Sequence, residues 1–208
     1  MILIRRVKTA WHLLRAGRVR SFVKALNHRI RALRGSRLWV SRRVWSTAQA
    51  GELQFHVENA SRLAQQFERH NADMLAKFGF KVLDFAGRTI VDIGAGSRLR
   101  TRWFKDARIF VIEPLADRYI RDVPCCDLPA ADRVYAVPAE EFVSGLVGVA
   151  DLVISINALD HCRDFGAVIK NIVLYADPNA LIFLSFDSHE IAGASGFMGG
   201  FVIDQERG

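Results

Sequence analysis

The stretch GRTIVDIGAGSRLRTRW, Gly87 to Trp103, places a carboxylate, Asp92, just before a turn of Gly94, Ala95 and Gly96. Glycines in such a turn permit φ > 0 and let another group come close to the backbone. About twenty residues later a second apolar run, in FVIEPL, also ends in an acid, Glu113. A carboxylate in that place accepts hydrogen bonds from both hydroxyls of a ribose, so the pair points to a nucleoside-bearing ligand. A third group is His161, beside Asp160 in DLVISINALDHCRDF, and a weaker fourth is His189 in FDSHE. An imidazole with a pKa of about 6.5 serves as a general base at neutral pH. Side chains of adjacent residues diverge, so Asp160 also reads as a substrate contact or loop cap. His161 equally reads as a structural hydrogen-bonding group.

Positioning these groups requires strands. Thr89–Ile93, Arg108–Glu113, Val134–Val137, Leu152–Ile156 and Ala180–Ser185 read as strands, and most are apolar on consecutive positions, as strands covered on both faces must be. Helical or loop stretches alternate with them. The expected fold is α/β, a doubly wound, mostly parallel sheet with right-handed crossovers, and ligands in such sheets bind at the carboxyl ends of the strands. The glycine turn is expected to open the next helix. A dinucleotide fingerprint wants a third small residue three positions after Gly96, and Leu99 stands there, flanked by Arg98 and Arg100.

The pattern resembles motif I of the class I S-adenosylmethionine-dependent methyltransferases, in which a D/E-x-G-x-G turn holds the methionine part of the cofactor. VIEPLADRY is similar to that family's acidic end of the second strand, VPAEEF to the segment after strand three, and DLVISINALDHCRDF to strand four and its loop. The EPLADRY and NALDH phrases together resemble one bacterial subgroup. The likeness covers roughly Arg88 to Asp187. It implies a Rossmann-like sheet of order 3-2-1-4-5, with S-adenosyl-L-methionine as cofactor. Asp92, Gly94, Ala95 and Gly96 would hold the aminoacyl end. Glu113 would take the ribose hydroxyls, with Pro114 and Leu115 against the adenine and Ala139 and Glu140 at its polar edge. Asn157 would lie near the sulfonium, with His161 and Asp160 as the catalytic candidates. The family's sheets usually close with an antiparallel hairpin, and only 22 residues follow Phe186, so the carboxyl-terminal strands are expected to be missing or shortened.

Charge divides the chain. Residues 1–51 carry thirteen Lys and Arg and no acid, whereas the remainder holds 16 bases against 22 acids. Leu3, Val7, Trp11, Leu14, Phe22, Leu26, Ile30 and Leu33 fall on one stripe of a helix, stopped by Gly35-Ser36, and a second basic stretch, RLWVSRRVW, follows. Such a segment either packs on the body of the protein with a solvated basic face or lies on an anionic membrane surface through residues 1–45. No recognition motif supports nucleic acid as a partner. The domains are therefore a basic amphipathic extension, 1–50, and an α/β domain, 51–208, with its core at 88–187. The helical pattern from Gln54 to Phe80 is expected to cover one edge of the sheet.

Three cysteines, Cys125, Cys126 and Cys162, offer neither a metal framework nor an even disulfide count, which suits a reducing compartment. No apolar run reaches the roughly 20 residues of a membrane span, and MILIRR does not read as a secretory signal. The expected location is cytoplasmic, peripheral to the inner face of the membrane, with a homo-oligomer as one possible state. The expected activity is transfer of a methyl group to a hydroxyl of a small-molecule, sugar or lipid-linked glycan acceptor. The alternatives are a catalytically impaired binding or scaffold protein and a nicotinamide-dependent oxidoreductase.

Overall fold

The computed structural model describes residues 42–188 and the backbone of 197–203. The stripe from Leu3 to Leu33, the Gly35-Ser36 stop and His189 lie outside the described residues.

Two helices come first, α1 (Arg42–Glu58) and α2 (Ala60–Lys77), joined at Asn59. α1 runs unbroken across residues 50 and 51. The sheet follows: β1 (Thr89–Ile93), β2 (Arg108–Ile112), α3 (Ala116–Asp122), β3 (Arg133–Tyr135), β4 (Ala150–Ile156), α4 (Phe165–Tyr175), β5 (Ala176–Ser188) and β6 (Phe197–Ile203). Among the described residues these strands form one sheet in the order β3-β2-β1-β4-β5-β6. Strands β1 to β5 pair in parallel, giving the expected 3-2-1-4-5 arrangement. β6 adds one antiparallel strand at the β5 edge, from Ile203 opposite Ile182 to Phe197 opposite Ser188.

Alternation along the strands sends side chains to two layers. Val91 and Ile93 of β1 and Val153 of β4 pack with Val168, Ile172 and Tyr175 of α4 on one face. Ile90, Leu152 and Ile154 face the other way, toward Leu75 of α2 and the rings of Phe80, Phe85, Phe104 and Phe183. Those rings meet edge to face, with Phe80 5.5 Å from Phe104 and 5.3 Å from Phe183, a favoured aromatic geometry. A third cluster joins Leu53 of α1 to Leu99, Val111, Leu115 and Tyr119, so α1 is docked beside α3. α4 starts where the Asp164 carboxylate accepts the Ala167 N–H at 3.0 Å, an N-cap.

One expected helix does not form. After the glycine turn the chain makes only a four-residue 3-10 turn, η1 (Arg100–Trp103). The Leu99 N–H donates to Asp127 Oδ1 at 2.5 Å and Arg98 Nη1 donates to the Cys125 carbonyl at 2.6 Å. These bonds draw residues 98 and 99 out toward the loop after α3 and away from a helical path.

Candidate nucleoside site

The glycine turn emerges from β1 in a left-handed conformation, with φ +73° at Gly94 and +67° at Gly96. Its tightness serves neighbouring parts of the chain. A Cβ on Gly94 would lie 2.2 Å from the Cβ of Ala158, and one on Gly96 would lie 3.3 Å from the His56 ring. Ala158 is pressed there by Asn157, itself left-handed at φ +53°, whose N–H donates to the Ser185 carbonyl at 2.7 Å. The loop after β4 thus closes onto the turn after β1.

Glu113 follows β2 and is 5 % exposed. Its Oε2 accepts the Gly96 N–H at 3.0 Å and its Oε1 accepts the Leu115 N–H at 2.9 Å. Burial pushes its carboxyl up from the ordinary range, while the two N–H groups and His56 oppose the shift. An ionised carboxylate offers about four acceptor positions, so two remain for hydroxyl donors.

Glu113 and the turn border a cavity of about 80 Å³ at the carboxyl ends of β1, β2 and β4. Of the residues expected from sequence, Gly94, Gly96, Glu113, Pro114, Ala139, Glu140, Asn157 and His161 line it. Asp92, Ala95 and Leu115 do not. Asp92 shares the sheet face of Ile90 and sits beneath η1, accepting the Thr101 hydroxyl at 2.7 Å. Leu115 turns its side chain into the cluster with Leu53 and Tyr119. Asp160 lies with His161 in a 3-10 turn, Leu159–His161, and is described by its backbone alone. The carboxylate of Glu140 accepts the N–H groups of Arg163 and Asp164, the latter at 3.1 Å, so it also ties the loop before α4.

Sequence reasoning missed one wall. Trp45, Gln49 and Glu52, on one face of α1, line the same cavity, and His56 stands one turn beyond. His56 Nδ1 is 2.7 Å from Ser97 Oγ and Nε2 is 3.2 Å from Glu52 Oε1, with its ring 4.7 Å from that of Tyr119. The Arg163 guanidinium lies 5.2 Å over the Trp45 ring. The helical spacing of 45, 49, 52 and 56 was present in the sequence, but nothing local shows which surface that face meets.

The residues present fit a nucleoside: acceptors for two hydroxyls and apolar walls from Pro114 and Ala139.

No family profile matches the chain, and no curated protein resembles it closely enough to match. Solved structures share its architecture. The Burkholderia thailandensis 1,6-didemethyltoxoflavin-N1-methyltransferase is 15% identical, covering 80% of this chain and 75% of that one, with a TM-score of 0.48. The Haemonchus contortus phosphoethanolamine N-methyltransferase 2 is 19% identical, covering 62% and 30%, with a TM-score of 0.46. The [4+2]-cyclase SpnF is 16% identical, covering 60% and 48%, at 0.46. This chain spans less than two thirds of the latter two. Identities this low assign no chemistry; what the chain has of its own is a doubly wound, Rossmann-like sheet with a nucleoside-shaped group of residues at its carboxyl edge.

Proposed function

We propose that this chain binds S-adenosyl-L-methionine and is a methyltransferase. The reading rests on one observation above all: Glu113, buried at the end of β2, is joined to the Gly96 N–H of the turn after β1 and borders a cavity there. When bound, the cofactor supplies an electrophilic methyl carbon. Glu113 would accept its ribose hydroxyls, and Pro114 and Ala139 would flank its base. Gly94 and Gly96 would approach its aminoacyl end, with Asn157 beside them. His161, on the exposed turn that borders the cavity, would take the proton of an acceptor hydroxyl at an imidazole nitrogen. The acceptor we favour is a hydroxyl of a small molecule, sugar or lipid-linked glycan. The basic residues 1–45, ending in the exposed Arg42 and Arg43, suit an anionic surface on the cytoplasmic side of a membrane. No described helix is long and apolar enough to cross one.

Binding without turnover is the second reading, favoured by the narrowness of the cavity, about half the ~150 Å³ that encloses a benzene. The two readings separate once transfer from labelled cofactor to a cell extract is measured. Cofactor identity is tested first. S-adenosylhomocysteine should raise the melting temperature and a nicotinamide dinucleotide should not. Glu113→Gln should weaken S-adenosylhomocysteine binding by roughly 1–3 kcal/mol. A larger stabilisation by the dinucleotide would overturn the assignment.

A further inference from the structure

A turn of Gly94, Ala95 and Gly96 has few steric constraints of its own, so contacts from elsewhere must hold its shape. At Gly94 that contact is Ala158. At Gly96 it is α1. A Cβ on Gly96 would lie 3.3 Å from Cε1 of His56, whose ring rests on that of the buried Tyr119, 4.7 Å away between centroids. The next residue, Ser97, is fully buried, and a buried hydroxyl left without a partner is costly. Its Oγ meets His56 Nδ1 at 2.7 Å, and its carbonyl accepts the Asp127 N–H at 3.2 Å. Either atom of the first pair can carry the shared proton, since a hydroxyl both donates and accepts. One residue back, the Gly96 N–H donates to Glu113 Oε2 at 3.0 Å. The other bond to that carboxylate, from the Leu115 N–H, comes from its own loop. Among the described bonds, the one from Gly96 therefore fixes Glu113 relative to the turn. Neither His56 nor Ser97 lines the cavity.

We propose that His56 is a positioning residue of the nucleoside site: bonded to Ser97, it holds the glycine turn where the Gly96 N–H aims the Glu113 carboxylate at the ribose hydroxyls. This rests on the nucleoside reading given above and adds the part of α1 on which that reading depends. The chain of contacts runs from His56 Nδ1 through Ser97 Oγ and the peptide of Gly96 to Glu113 Oε2. Without the imidazole, Ser97 keeps a buried hydroxyl with no described partner, and Gly96 gains space where the ring stood. The turn is then free to leave its left-handed shape, and Glu113 loses the bond that ties it to the end of β1. His56 also meets Glu52 through Nε2 at 3.2 Å, but the positioning role needs only Nδ1.

Equilibrium binding of the full chain to adenosine and to 2′,3′-dideoxyadenosine tests this, because only the first offers hydroxyls to Glu113. The wild type should prefer adenosine by about tenfold or more. His56→Ala should reduce that preference about three- to tenfold, chiefly by weakening adenosine, the size expected for one misplaced hydrogen bond. Ser97→Ala should reduce it similarly. Asparagine sets its amide near the place of Nδ1, and glutamine sets its own near that of Nε2. His56→Asn should therefore keep the preference within about twofold of wild type, whereas His56→Gln should not. Should His56→Ala fail to fold, the Asn and Gln variants and Ser97→Ala still decide the matter. A loss shared equally by both nucleosides, an unchanged preference in every variant, or rescue by His56→Gln alone overturns this inference and leaves the nucleoside reading standing. A wild type that binds neither nucleoside, or binds both alike, overturns the nucleoside reading and the inference with it.

Discussion

Buried beneath η1, Asp92 keeps an oxygen 2.7 Å from the Thr101 hydroxyl, with the cation of Arg100 nearby and a second acid, Glu113, not far off. Burial dominates, and its carboxyl is raised from 3.8 to about 6. The folded protein therefore holds this proton more tightly than the unfolded chain does. The associated stability is fully present below the unfolded value and is lost as pH rises through about 6. Asp92→Asn keeps an acceptor for Thr101 and removes the buried charge. Its stability relative to wild type in urea titrations should be near zero below pH 4 and rise to roughly 2–3 kcal/mol in its favour at pH 7. A constant difference across that range would mean that Asp92 titrates normally. Its position, at the end of the first strand just before the glycine turn, was legible in the sequence; its burial beneath η1 was not. Asp92 lies on the α2 face of β1, and the turn it precedes bends away toward Asn157 and Ala158.

At the scale of elements, α1 is held by little apolar surface. Leu53 is its one buried residue among those described, set against Leu99, Leu115 and Tyr119. The rest of its inner face is the polar and aromatic set of Trp45, Gln49, Glu52 and His56. Leu53→Ala should cost about 2–4 kcal/mol, and the loss should be local. Amide exchange should quicken across α1 while β1 and β4 stay protected. Acceleration spread evenly through the sheet would show that α1 and the core open as one unit. The strands are the opposite case. β1 is buried along its whole length and β4 nearly so, and both were readable as consecutive apolar runs. β6 was harder to read, since FMGGFVI carries two glycines and pairs with β5 along one edge only.

For the whole molecule, the electrostatic split of the sequence makes a separable claim. A variant lacking residues 1–41 should keep the fold and nucleoside binding, because three core clusters and the contacts of Glu113 with the glycine turn are formed within residues 42–188. It should also lose sedimentation with vesicles containing anionic lipid. Continued pelleting would place the surface-binding charge elsewhere.

While the strand order came from the family resemblance, periodicity and residue type were enough to set the doubly wound sheet and the acid and glycines at its carboxyl edge. Each of these follows from burial on neighbouring positions and from a turn that only small residues make, and both are local properties. Closure of the site followed a different rule. His56 meets Ser97 across 41 residues, and Ala158 meets Gly94 across 64. Such pairings depend on where a helix lands on a completed sheet, and a helical stripe carries no record of its landing place. For that reason the place of the helix that carries Trp45, Gln49 and Glu52 on the cavity was not legible in its sequence.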